Sequence, residues 1–147
     1  MNFKQYFLEK WVLGLIEFME LDGLGTIPAK LDTGNSGHNV LHGTNIQIQG
    51  KHVIFRTVNE RNIQKPLADT IDINVGSNNI EKRPVVNFNV KLGDQIFEDI
   101  PFSIADRTTN LYKILVCKDF IEDHLQAVVD PSQEDVASLN VNVEIES

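Results

Sequence analysis

An all-β domain is expected for this chain on three grounds. Short runs alternate apolar and polar residues, most cleanly in Val86-Asn87-Phe88-Asn89-Val90-Lys91-Leu92. Turn residues separate those runs, as in Gly50-Lys51, Gly76-Ser77-Asn78-Asn79 and Gly93-Asp94. The best helix candidate is a single segment near the C-terminus, Lys118 to Leu125, where Phe120, Ile121, His124 and Leu125 fall at helical spacing. At 147 residues the chain suits one domain, 1–147, with its own core.

Residues 1–10 form a polar-aromatic lead-in suited to a short helix or to loose packing. Trp11 to Leu21 is read as a strand. Its apolar residues are too dense for one face, so cover on both sides is expected, although periodicity alone leaves a helix open. Asp22-Gly23-Leu24-Gly25 turns the chain into Ile27–Leu31, which alternates as a half-buried strand does. A second extended run covers Asn39 to Gln49, and Gly50-Lys51 turns it into His52–Val58. Asn59 to Pro66 is polar and is expected to be a loop. Thr70–Val75 and Ile80–Arg83 flank the turn at Gly76 and read as a hairpin with a mobile tip.

The strand Val86–Leu92 turns at Gly93-Asp94 into Gln95–Ala105, where Ile100, Phe102 and Ile104 share a face. A Gly-first pair suits a hairpin turn whose twist matches its strands. Tyr112–Val116 is a short buried strand before the helix. Val128-Val129 is expected to end at a turn, Asp130-Pro131. The residues Leu139 to Glu146 alternate again, through Val141, Val143 and Ile145.

The net charge of −8 is uneven. Residues 1–50 hold three Lys/Arg and five Asp/Glu, residues 51–83 six and four, and residues 84–147 four and twelve. Such an acidic C-terminal half argues against nucleic acid as a partner. The longest apolar run near the N-terminus, Trp11 to Ile16, is too short to span a membrane and poorly placed for a secretory signal. One cysteine, Cys117, excludes an internal disulfide and fits a reducing compartment. A cytoplasmic protein with no membrane partner is the expectation.

The strand Ile27–Leu31 runs directly into Asp32-Thr33-Gly34. This triplet has a chemical logic. A carboxyl activates water or protonates an amide, a glycine lets backbone approach closely, and a threonine hydroxyl braces one loop against another. Asp-Thr-Gly is the active-site triplet of aspartic proteases, although Asp, Thr and Gly are also common turn residues. More residues fall in the same order. Trp11 opens the pattern, Ala29-Lys30-Leu31-Asp32-Thr33-Gly34 carries its centre, and Leu41-His42 follows. Lys82-Arg83-Pro84-Val85, Leu92-Gly93 and Val129-Asp130-Pro131 complete it, and Ile114-Leu115-Val116 precedes the helix.

In these motifs the chain resembles the retropepsin-like aspartic proteases, single-lobed relatives of pepsin, and within them most closely the ATP-dependent zinc protease family. The resemblance covers roughly residues 11–133 and implies an acid-protease (retropepsin-like) barrel with one short C-terminal helix. It implies peptide-bond hydrolysis, with Asp32 as the catalytic residue and Thr33 and Gly34 completing the active-site loop. One chain carries one such Asp, so a homodimer is implied, with Asp32 from each subunit at the two-fold axis. Gly76, Ser77 and Asn78 would form the tip of a substrate-binding flap, and residues 134–147 an extension able to add a strand to the dimer. No cofactor is implied. A peptide or protein is the expected substrate, an acidic one among the possibilities, because members of this family often accompany glutamate ligases.

The chain departs from the family where two or three apolar residues usually precede Gly-Arg. Here Cys117-Lys118 stand instead. A side chain at that crossing would bear on the active-site loop, and Lys lacks the planar fork of Arg. Two rival readings follow. One is a catalytically silent binding or assembly module on the same barrel. The other is a metal-dependent hydrolase using His38 and His42, disfavoured because no third ligand lies near them in sequence. His52 and His124 are read as surface or half-buried polar residues, Asp130 as a turn residue, and Cys117 as a small core residue.

Overall fold

The computed structural model describes residues 10–138; the lead-in 1–9 and the alternating stretch 139–146 lie outside the described residues. The fold is organised by one long strand, β1 (Trp11–Leu21), whose two edges meet three partners. On one edge lies β2 (Gly25–Asp32), antiparallel, with Ile16 opposite Lys30 and Leu21 opposite Gly25. The other edge is divided. Its C-terminal end, Met19–Leu21, pairs with β8 (Ile80–Leu92), and its N-terminal part pairs in parallel with β11 (Ala127–Glu134).

The contact of β1 with β8 closes a barrel. Around it run β1, β2, β10 (Ile114–Cys117), β3 (Asn39–His42), β9 (Gln95–Ala105) and β8. The strand β7 (Asp69–Asn74) extends this sheet beyond β8 as a hairpin arm. A separate three-stranded sheet holds β4 (Thr44–Gln49), β5 (His52–Arg56) and β6 (Asn62–Pro66). After β10 comes a single helical turn, α1 (Lys118–Phe120), which widens into a π-helical turn at Ile121–Leu125 and stops at Gln126 in the left-handed region. The helix expected at 118–125 is therefore present, as is the strand over Trp11–Leu21.

The barrel interior is filled by alternate residues of its strands. Leu13, Met19 and Leu21 meet Leu31, Leu41, Phe88, Phe102, Ile104 and Ile114, all buried. Phe88 and Phe102 cross edge to face at 5.7 Å, the arrangement that aromatic quadrupoles favour. The hairpin between β8 and β9 has two turn residues, with Leu92 opposite Gln95. Gly93 there takes φ +60° while Asp94 does not share the left-handed region, as a Gly-first turn of this type requires.

Several boundaries differ from expectation, each for a tertiary reason. Residues 62–66, read as loop, form β6 because β5 offers a free edge and Ile63 pairs opposite Phe55. Only the start of that stretch is a turn, a single 3-10 turn at residues 58–60 with Asn59 and Glu60 both at positive φ. The run Asn39–Gln49 divides into two strands at Gly43. Ile80–Arg83 and Val86–Leu92 are one strand through Pro84, tolerated because only β7 flanks β8 there. The expected stop at Asp130-Pro131 is instead an irregular excursion inside β11. Asp130 Oδ1 accepts from the Ser132 N–H and hydroxyl, and the strand then resumes to Glu134. Pro131 is tolerated because β11 is an edge strand.

The β1–β11 junction depends on two residues. A Cβ at Gly14 would lie 2.3 Å from the Gln133 carbonyl oxygen, so only glycine lets the backbones meet there. Three residues on, Glu17 is fully buried, and its carboxyl accepts the N–H groups of Gly14 (2.7 Å), Val136 (3.1 Å) and Ala137 (2.9 Å). A buried carboxyl with three backbone donors is well compensated, and removing it leaves those donors orphaned. Glu17→Gln should cost about 2–3 kcal/mol, because one acceptor oxygen becomes an NH2 facing N–H donors. Urea unfolding should show the midpoint falling with the slope unchanged.

Candidate active site

The strand β2 buries Ile27, Ala29 and Leu31 and leaves Thr26, Pro28 and Lys30 exposed. This alternation ends at Asp32, half-buried at the lip of the barrel. The carboxylate position is set by what lies beside the strand end. The strand β10 runs parallel to β2, with Leu115 opposite Lys30 and Cys117 opposite Asp32. From Asp32 the chain turns back. The Asn35 N–H donates to the Asp32 carbonyl at 3.1 Å, and the Gly34 N–H donates to Asp32 Oδ1 at 3.2 Å.

The loop is then tied to α1 at two points. The Lys118 N–H donates to the Asn35 carbonyl at 2.7 Å, and the Gly37 N–H donates to Asp119 Oδ2 at 2.8 Å. Thr33 and Gly34 remain exposed. Asn39 closes the other side. It is buried, its Oδ1 accepts the Cys117 N–H at 2.8 Å, and its carbonyl accepts the Ser103 hydroxyl at 3.4 Å. Asn39 thus joins β3 to both β10 and β9 immediately behind the aspartate.

Cys117, which stands where the family usually has Gly, is accommodated. Its side chain is buried and its Sγ donates to the Gly37 carbonyl at 3.4 Å. Burial pushes the thiol pKa up, so it stays protonated and poorly nucleophilic. The neighbouring Lys118 side chain is exposed, and only its backbone takes part in holding the loop.

Asp32 and Gly34 line a cleft of about 600 Å³. The β7–β8 arm contributes Ile71, Ile73 and Arg83, and the segment after β9 contributes Asp106, Arg107 and Asn110. Two guanidiniums therefore share the cleft with the aspartate. Burial lowers the Arg107 pKa, the nearby Arg83 lowers it further, and the Asp32 carboxylate acts in the opposite sense. Arg83 is engaged by Glu81 at 2.9 Å. Arg107 donates from Nε to the Tyr112 carbonyl at 2.9 Å, and no described residue bonds its two terminal nitrogens. Asp106 lies in the same cleft, but Thr108 holds it, lowering its pKa, with His42 and Lys113 as the charges acting on it.

The expected flap tip sits at the end of the β7–β8 arm. Gly76, Ser77 and Asn78 are exposed there, all at positive φ, in a turn closed by the Val75 N–H on the Asn79 carbonyl. The arm lines the cleft through residues nearer its base. His38 lines the cleft, whereas His42 lines a different cavity and has its Nδ1 occupied by the Arg107 N–H. Among the described residues no group of three or more His, Cys, Asp or Glu is placed to hold a metal ion. His52 is exposed at the start of β5, and His124 stacks on Phe120 at 5.0 Å. Asp130 is a surface turn residue within β11.

Arg107, Asp106 and Asn39 were not singled out from the sequence. Arg83 lay in a recognised motif without an assigned role. The one local signal is an Arg immediately beyond an apolar strand and an acid, which many surface turns share.

A closed barrel with β10 threaded between β2 and β3, and Asp-Thr-Gly at the end of β2, defines a retropepsin-like aspartic-protease fold. The chain belongs to the RimB-like family, described as retropepsin-like aspartic endopeptidase RimB, whose family model matches residues 12–139. It is also similar to a crystal structure of Lpg0085, a protein of unknown function from Legionella pneumophila subsp. pneumophila str. Philadelphia 1. The two share 29% identity and a TM-score of 0.70, over 86% of this chain and 97% of that one. No curated protein matches the sequence. Among the described residues no helix is long and apolar enough to cross a membrane.

Two measurements test this description of the site. Asn39→Ala should destabilise the protein by about 1–3 kcal/mol, since it orphans the buried Cys117 N–H. The Cys117 thiol in the native protein should react with a soluble alkylating reagent at pH 8 at least about 100-fold more slowly than in the unfolded chain. Equal rates would show that the thiol is accessible.

Proposed function

We propose that this chain is an aspartic endopeptidase acting as a two-fold homodimer in the cytoplasm, with a preference for acidic peptides. The observation that carries the reading is Asp32, held half-buried at the end of β2 on the wall of an open cleft. A single carboxyl is insufficient for this chemistry. Two carboxyls about 3 Å apart share one proton, so that one takes a proton from water while the other donates to the amide. Asp106 is a poor second member, since its carboxyl is bonded to Thr108 and Asp32 is not among the charges acting on it. A second copy of the chain supplies the missing group through the same exposed loop.

In that dimer Thr33 braces the paired loops through its hydroxyl, and Gly34 keeps the floor open to backbone. Ile71 and Ile73 offer apolar contact to substrate side chains, and the tip at Gly76, Ser77 and Asn78 closes over the peptide as a flap, excluding water. Arg107 presents a partly desolvated guanidinium whose terminal nitrogens no described residue bonds, beside a second cation, Arg83. A substrate carboxylate there relieves the repulsion between the two and accepts a bidentate pair.

Wild type and Asp32→Asn would be incubated with peptide mixtures from acidic to neutral pH. Cleavage by wild type alone is expected. Silence from both, with peptide still bound, would leave a binding module on the same barrel. Arg107→Met should raise KM about tenfold or more for peptides with an acidic residue beside the scissile bond, and less for neutral ones. Equal losses on both peptides would remove the acidic preference.

A further inference from the structure

Arg107 is fixed by groups that lie outside the cleft it lines. Its backbone N–H donates to His42 Nδ1 at 2.9 Å, and its carbonyl accepts from Lys113 Nζ at 2.7 Å. The same ammonium also donates to the carbonyls of Thr108 (3.1 Å) and Asn110 (2.8 Å). An ammonium has three N–H donors, so Lys113 commits all of them to the loop 107–110. His42 and Lys113 both line a second cavity of about 430 Å³, together with Thr26, Pro28 and Arg56.

We propose that His42 and Lys113 are positioning residues that hold Arg107 in the cleft, and that His42 does so only while its ring is neutral. The consequence for catalysis rests on the peptidase reading; the structural core does not. A ring nitrogen that accepts an N–H carries no proton, so the hydrogen bond fixes the tautomer as Nε2–H. When the ring gains a proton, Nδ1 becomes a donor facing another donor, and the bond to Arg107 is lost. Asp106 Oδ1, 4.0 Å from Nδ1 and already accepting from Thr108, then faces the charged ring as an ion-pair partner.

The charges around the ring favour the neutral state. Burial, Lys113 and Arg107 lower the His42 pKa, and Asp106 opposes them. From β5 and the turn after it, Arg56 and Glu60 line the same cavity but are paired with each other at 3.4 Å. Beyond Arg107 stand Arg83 and Asp32 in the cleft. The sign follows: the native ring takes up its proton only below the ordinary histidine value of 6.5. Above that range Arg107 is held. As pH falls through the lowered pKa the His42 bond is lost, Arg107 is held by Lys113 without it, and acidic peptides bind less well. This acts on KM, whereas the paired Asp32 carboxyls govern kcat.

Nuclear magnetic resonance on the free protein tests the core without any substrate. The Arg107 amide shift and the His42 ring should titrate with one midpoint below 6.5, and Lys113→Met should speed exchange of the Arg107 amide about tenfold or more. Kinetics then test the consequence. With an acidic peptide, KM should climb about tenfold as the pH drops through that midpoint. His42→Asn, which keeps a side-chain oxygen acceptor but does not titrate, should flatten that limb. An Arg107 amide indifferent to the His42 titration overturns the proposal, even if cleavage is vigorous. So does a His42→Asn profile that retains the acid limb. Coupled titration in a protein that cleaves nothing would instead sink the peptidase reading and leave the positioning intact.

Discussion

The parallel pairing of β2 with β10 is the constraint on which the site depends. It sets Cys117 beside Asp32, and it draws in β3 through Asn39. Parallel neighbours need a long crossover, and here the connection from β2 to β10 is most of the domain. The arm, the small sheet and the long β8–β9 hairpin are all built within that crossover. The carboxyl is consequently fixed in part by residues far from it in sequence, and the loop that bears it is tied down by Lys118 and Asp119 as well as by its own turn.

The electrostatics of the cleft come from the same arrangement. An acidic chain places two guanidiniums in the cleft with Asp32 and Asp106; Glu81 pairs with Arg83 and Thr108 holds Asp106, which leaves Arg107 without a carboxylate partner among the described residues. Arg83 arrives from the arm and Arg107 from the end of β9. Each is oriented by a separate device, a glutamate in one case and a set of backbone bonds in the other. Arg83 still lowers the Arg107 pKa although Glu81 pairs with it.

Much of the fold was legible in the sequence, because period-two alternation and turn chemistry are local. Val86–Leu92 and the Gly93 turn show this most clearly. What was missed is non-local. Residues 62–66 carry a weak pattern and become a strand only because β5 is beside them. Asp130-Pro131 carries a turn signal, and the turn is there, but β1 reclaims the chain afterwards. In the site, Asp32 was legible because its triplet is contiguous. Arg107 was not, since its significance comes from a segment 75 residues away arriving at the same cleft. Glu17 drew no reading from the sequence beyond ending an apolar run, and only its three amide donors reveal it as an interior anchor.

That anchor has a consequence for how the molecule is made. The Glu17 carboxyl bonds amides 119 and 120 residues further along the chain. Contacts of such separation carry a large closure entropy and form late. During synthesis, β1 is translated before its partner in β11 and the amides beyond, which reach it only after all the residues between them have emerged. Until then its edge is unpaired and its carboxyl sits in water, and a partly made chain has the open strand that invites association with its neighbours. Closure of this junction therefore waits on residues about 120 positions further along, with β1 made well before the strand that completes it.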